Sequence, residues 1–308
     1  MVEIINKIGG NIMWADKLQI GNTVGIISPS HIASLDRYEK IVNGIKDKGF
    51  NVKIGNNLFK DTYGYLASEI ERADDLNEMV TNKDVKLIFF GGGYGSIDLL
   101  PLINYENIKM NPKLFLSYSD GTSILNAIYT KTGLITYYGQ TPSEFEDLKT
   151  YTYEQFSSHL LRRDAVNFVS NSRWYSLHRG ICEGILIGGY SWNFALSVNS
   201  SYLQIDKNKN YILFLEDHEK FSCVSAVSML LSHIEQSGFM KNVSGLLFGN
   251  YSENLSEQLL ERLKRFGQRH DIPVAYCDDF GHGNNHAILP IGCKAILNTQ
   301  NNSLQFIY

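Results

Sequence analysis

The sequence predicts an α/β protein: an N-terminal α/β domain on a parallel sheet, followed by a C-terminal β-rich mixed domain. Three observations predict this. Through the first half, apolar runs alternate with stretches of helical periodicity, the pattern of strands joined by crossover helices. The run "VKLIFF" at 85 to 90 is apolar on both faces, as a parallel strand covered by helices on both sides must be. Beyond Gln140 the texture changes, first to a polar, turn-rich stretch with one plausible helix and then to shorter apolar runs interrupted by two helices. With 308 residues, 44% of them hydrophobic, the chain can bury a substantial core in one large or two medium domains.

The elements follow in order. "TVGIISPS" (23 to 30) is a strand ended by Pro29, after which Tyr38, Ile41, Val42 and Ile45 fall at helical spacing. "NVKIG" (51 to 55) reads as a second strand. Ser68 with Glu71 three residues on makes a capping box that opens a helix running to about Val80. "VKLIFF" leads into "GGGYG", a short helix-like "SIDLLP", the strand "KLFLS", a helix from about Gly121 to Lys131 and the strand "LITYYG" (134 to 139). The polar, turn-rich stretch after Gln140 reads as a linker, which sets the domains at 1–145 and 179–308 with the linker at 146–178. In the second domain, strands are expected at 184–189, 210–217, 243–250, 273–277 and 293–298, with helices near 222–236 and 254–268.

Charged residues make up 19% of the chain and the formal net charge is -4, which leaves no electrostatic footprint for nucleic acid or an anionic membrane. The expected partner is a small molecule or a peptide. No apolar stretch approaches the roughly 20 residues that span a bilayer, and the first residues lack the basic start and apolar run of a secretory signal. A cytoplasmic protein is therefore expected. Cys182, Cys223, Cys277 and Cys293 show no C-x-x-C spacing and read as free thiols.

In open parallel sheets, ligands bind beyond the carboxyl ends of the strands. Two unusual loops fall there. "GGGYG" after "VKLIFF" strips away side chains, so backbone N–H groups can point at an oxyanion; it is neither a dinucleotide fingerprint nor a phosphate loop. "SYSDG" puts Ser119 on a strand-to-helix turn, partly matching the nucleophile elbow, with Gly121 trailing and Ser117 where that pattern has glycine. A plainer reading has Ser119 capping the following helix through its side chain.

A serine nucleophile needs a histidine to take its proton and an acid to orient that histidine. Of eight histidines, His31, His159, His178, His218, His233 and His270 lie in linker, loop or helix contexts and read as surface or packing residues. His282, in "DDFGHGNNHAILPIG", follows a strand and sits between two glycines. His286 four residues on, with Asp278 or Asp279, raises zinc as an option, but the intervening glycine and asparagines disfavour the helix that would align the pair. Glu216, in "ILFLEDHEK", ends an apolar strand and is the candidate acid.

These pieces resemble the LD-carboxypeptidases, a family of serine peptidases that includes relatives conferring immunity to microcin C. The resemblance rests on "ISPS", "ERADDLNEMVTNKDVKLIFFGGGYGSIDLLPLI", "PKLFLSYSDGTSILNAIYTKTG", "YYGQTP", "EGILIGGY", "LFLEDHE" and "FGHGNNHAILPIG" in one order over roughly residues 20 to 300, with "IYTKTG" and "YYG" leaning to the immunity branch. It implies Ser119, Glu216 and His282 as the catalytic residues, and an oxyanion hole at Gly92, Gly93, Tyr94 and Asp120. It further implies no metal or cofactor, and a homodimer. The substrate so implied is a small peptide, a murein tetrapeptide losing D-alanine across an L,D-amide, or else a peptidyl or aminoacyl nucleotide. A ligand-binding protein that has lost catalysis is the reading from another class. Gly91 and Asp98 stand where the family usually or often has arginine, and Ser117 replaces a usual glycine.

Overall fold

Two sheets carry the chain in the computed structural model, which describes residues 12–308. In the first, β1 (Thr23–Ile27), β2 (Asn51–Ile54), β3 (Val85–Phe90), β4 (Leu114–Ser117) and β5 (Thr136–Tyr138) run parallel. They are connected through α1 (Leu35–Asp47), α2 (Glu69–Thr81), α3 (Tyr105–Met110) and α4 (Thr122–Thr132). The capping box is formed: the Glu71 amide donates to Ser68 Oγ and the Ser68 amide to Glu71 Oε2. Strand order places β1 between β2 and β3, so the chain winds outward in both directions from the β1–β3 boundary. Beyond the carboxyl ends of those two strands lies the crevice where such sheets bind ligands.

The remaining elements are α5 (Thr150–Phe156), β6 (Tyr175–His178), β7 (Ile181–Tyr190), α6 (Ser191–Ser197), β8 (Tyr211–Glu216), α7 (Val224–Gln236), β9 (Val243–Asn250), α8 (Glu257–His270), β10 (Val274–Gly281), β11 (Leu289–Ile291), β12 (Lys294–Asn298) and β13 (Ser303–Ile307). Seven of these strands form a mixed sheet in the order β13-β12-β7-β8-β9-β10-β6. Its centre, β7 to β10, is parallel and joined by helices, while antiparallel strands are confined to the edges.

The two sheets interlock. β11 leaves the second half of the chain and pairs antiparallel with β5, Leu289 opposite Tyr138. The stretch 146–178 is packed rather than free, with Phe156, Leu160 and Trp174 buried in a core continuous with both sheets. Among the described residues no helix is long and apolar enough to cross a membrane.

Gly139 marks the interlock. It has φ +146°, and a Cβ built there would lie 2.0 Å from the Ala287 carbonyl oxygen just before β11. Gly139→Ala should lower stability by about 2 kcal/mol or more, read as a reduced urea midpoint; an unchanged midpoint would contradict this account of the junction.

Candidate active site

The elbow forms where β4 ends. Tyr118 is extended, Ser119 takes φ 55°, and a single 3-10 turn over Ser119–Gly121 leads into α4. A left-handed backbone costs a residue with a Cβ about 1 to 2 kcal/mol, so something must hold it. The turn can be this tight because residue 121 lacks a side chain: a Cβ there would meet Ser117 Oγ at 2.2 Å. Ser119 does not cap α4, whose N-cap position is Gly121 with no side-chain cap.

Its hydroxyl lies 3.0 Å from His282 Nε2, and His282 Nδ1 lies 2.8 Å from Glu216 Oε2. A carboxylate only accepts, so Nδ1 carries the proton and Nε2 presents its lone pair to the serine hydroxyl. Glu216 is completely buried at the end of β8. Its other oxygen, Oε1, accepts a 2.6 Å hydrogen bond from the Tyr138 hydroxyl, which in turn accepts the Ser119 amide at 3.0 Å. The imidazole is walled by Tyr118, Phe221 and Tyr190, with ring centroids at 4.9, 5.1 and 5.3 Å. Burial alone would lower the His282 pKa, but the charge and hydrogen bond of Glu216, with Asp217 beside it, outweigh burial and raise it above 6.5.

The glycine loop closes over the serine. A Cβ on Gly92 would sit 2.7 Å from Ser119 Cβ, and one on Gly93, at φ +138°, would sit 2.2 Å from the Ser30 carbonyl oxygen. The Gly92, Gly93 and Asp120 amides donate to no protein acceptor among the described residues, whereas the Tyr94 amide donates to Ser30 O at 2.9 Å. Tyr94 therefore contributes its side chain to the cavity mouth, where it is 73% exposed, and its N–H is already used. The Asp120 carboxylate faces away, accepting from the Ser96 amide at 2.8 Å and from Asn193 Nδ2 at 2.7 Å.

Two groups that sequence reasoning assigned to packing or left aside hold this loop. His31 Nδ1 donates to Gly92 O at 3.1 Å while its Nε2 accepts from Tyr38 at 2.9 Å. The buried Arg72 guanidinium donates to the carbonyls of Pro29, Ala67 and Gly95. Asp98 lies 3.4 Å from Arg72, behind the loop rather than in the cavity. The position of His31 just past β1 was the available signal, because strand ends at the switch point face the ligand crevice.

Above the serine opens a cavity of about 380 Å³. Its walls include His31, Tyr118, Tyr190 and Phe221, and the one Lys or Arg among its lining residues, Arg37, is paired with Glu146 at 3.0 Å. His286 does not join His282; its Nε2 faces Glu144 at 3.3 Å, and burial lowers its pKa to about 4.

A buried carboxylate, an imidazole and a serine on a strained turn, beside free amides, form the constellation of a serine hydrolase on an α/β scaffold. The chain belongs to the LD-carboxypeptidase family: models described as the LD-carboxypeptidase N-terminal and C-terminal domains match residues 24–139 and 183–297. It is 29% identical to the microcin C7 self-immunity protein MccF of Escherichia coli, over 95% of each chain. It is 28% identical to a Bacillus subtilis protein named "Probable murein peptide carboxypeptidase", over 92% of this chain and 90% of that one. Among solved structures, an MccF-like protein from Bacillus anthracis superposes with a TM-score of 0.87 at 28% identity, covering 96% of this chain and 99% of the other. MccF in complex with glutamyl sulfamoyl guanosine superposes with a TM-score of 0.85 at 26% identity, covering 96% and 98%.

The pull of Glu216 on His282 can be read directly. The ring of His282, followed by NMR without substrate, should titrate above 6.5, and Glu216→Gln should bring it below 6.5 because burial is then opposed only by the weaker field of Asp217. A titration indifferent to that substitution would rule out the pairing.

Proposed function

We propose that the protein is a metal-independent serine carboxypeptidase that cleaves an L,D-amide near a free C-terminus, releasing terminal D-alanine from murein tetrapeptide. The observation that carries the hydrolytic reading is the unbroken hydrogen-bonded line from Ser119 Oγ through His282 to Glu216. Ser119 Oγ attacks the scissile carbonyl carbon as His282 Nε2 takes its proton. Negative charge develops on the carbonyl oxygen, and the Gly92, Gly93 and Asp120 amides are the donors available to it, each worth about 3 kcal/mol in sites of this kind. The tetrahedral intermediate collapses with cleavage of the C–N bond, and the proton on Nε2 passes to the leaving amine. Water then repeats the sequence on the acyl-serine. Glu216 stays ionised, holding the tautomer and stabilising the imidazolium.

Neutral imidazole is the active form, so kcat/KM should rise with pH through the His282 pKa, above 6.5.

A second reading has its own support. Likeness to MccF runs nearly end to end, solved MccF structures hold glutamyl sulfamoyl guanosine and aspartyl sulfamoyl adenosine, and the cavity here is walled by aromatic rings. The same chemistry would then act on a peptidyl or aminoacyl nucleotide. The intact Ser119, His282 and Glu216 argue against a protein that only binds its ligand.

Wild-type protein, given a murein tetrapeptide and an aminoacyl sulfamoyl adenosine side by side with products followed by mass spectrometry, should release D-alanine from the first; cleavage of the second alone would favour the immunity reading. Ser119→Ala should reduce turnover by about 10⁴-fold or more while remaining folded. Retained turnover in that variant would end the proposal.

A further inference from the structure

Glu216 has two carboxylate oxygens and no exposed surface. One faces His282; the other is held by a phenol that the catalytic line does not call for. Tyr138 is fully buried. Phenylalanine would fill the same volume without the cost of desolvating a hydroxyl, so the oxygen itself needs a reason. Its single proton must go to Glu216 Oε1, at 2.6 Å, which leaves a lone pair for the Ser119 amide at 3.0 Å. That is the one acceptor of the Ser119 amide among the described residues.

The bonds close a ring. From the Ser119 amide it passes through Tyr138, Glu216 and His282 and returns to Ser119 Oγ. Tyr138 cannot drift within it. Its ring packs 5.6 Å from that of Phe214 on β8, and its strand lies between β4 and β11. Two consequences follow. The left-handed turn at Ser119 is held by a bond whose far end is anchored to the acid. The Ser119 amide is also withdrawn from any oxyanion, leaving that duty to the glycine loop and Asp120.

We infer that Tyr138 is a positioning residue: its hydroxyl fixes the Ser119 turn and shares Glu216 with His282, so one group sets both the aim of the serine and the proton affinity of the imidazole. This rests on the hydrolase reading above. The other ionisable groups facing the pair are Asp217 and His218 at the end of β8, Tyr118 after β4, Tyr190 ending β7 and His286 past β10; none hydrogen-bonds a Glu216 carboxylate oxygen among the described residues.

Tyr138→Phe removes one donor and leaves the full carboxylate charge to His282, which then holds its proton more tightly. By NMR, without substrate, the His282 titration should move up by about one pH unit. On whichever substrate the wild type cleaves, kcat should fall about 10- to 100-fold, with KM within about twofold and the acid limb of the pH profile moved by the same amount. 3-Fluorotyrosine at position 138 alone, a stronger donor of the same shape, should move the titration down, and it carries the test if the phenylalanine variant is not recovered folded. A titration unmoved by either change, or lost activity with an unmoved acid limb, overturns the inference. If wild-type protein cleaves neither substrate, the hydrolase reading fails, and the titration still decides whether Tyr138 sets the imidazole.

Discussion

A carboxylate sealed from water must be given partners by the fold, and Glu216 receives both of its partners from outside its own sheet strand. It stands at the end of β8, completely buried, between the Tyr138 hydroxyl from the first sheet and the His282 imidazole from the loop beyond β10. Burying an ion without such bonds costs several kcal/mol, so the structure around it has little freedom. The first sheet must approach the second closely enough for a phenol to reach across, and the pairing of β11 with β5 achieves that. The backbone leading into His282 must pass the glutamate, and Gly281, at φ +102°, leaves room where a Cβ would sit 2.9 Å from the Glu216 side chain.

The same constraint shapes the reactive end. Ser119 is presented by a turn that a residue with a Cβ disfavours, and the turn is stabilised through its amide rather than through capping of the helix behind it. Opposite it, the 91–95 loop approaches because Gly92 and Gly93 have no side chains to collide with Ser119 and Ser30. His31 and Arg72 then fix that loop by donating to its carbonyls and those of its neighbours. Placement at the β1–β3 boundary follows from strand order. A site of this kind works by being assembled before the substrate arrives, since donors already aimed cost no reorganisation during reaction.

Much of this is legible in the chain. Runs such as "VKLIFF" announce parallel strands because both faces must be apolar, and Ser68 with Glu71 announces a helix start by satisfying two amides. Ser119, Glu216 and His282 stand out because each sits where a strand gives way, His282 between two glycines and Ser119 two residues before one. Other features leave little trace. β11 is three residues long and contains Pro290, which suits an edge strand but reads as loop. β6 and β13 are edge strands, and their half-exposed residues do not form an apolar run. Tyr138 lies in "LITYYG" like any core aromatic; its hydroxyl acquires meaning only from partners 19 and 78 residues away. The Tyr94 amide looks as available as its neighbours until Ser30 is found opposite it.

If these groups act as one unit, their losses cannot add. The most direct test is a double-mutant cycle on kcat comparing Ser119→Ala, His282→Ala and the combined variant on a substrate the wild type cleaves. A concerted site predicts that the double variant is no slower than the slower single one, because removing either partner already abolishes the proton transfer that the other serves. Penalties that multiply would mean that the serine and the histidine contribute independently, and the hydrogen-bonded line between them would not be the path of the proton.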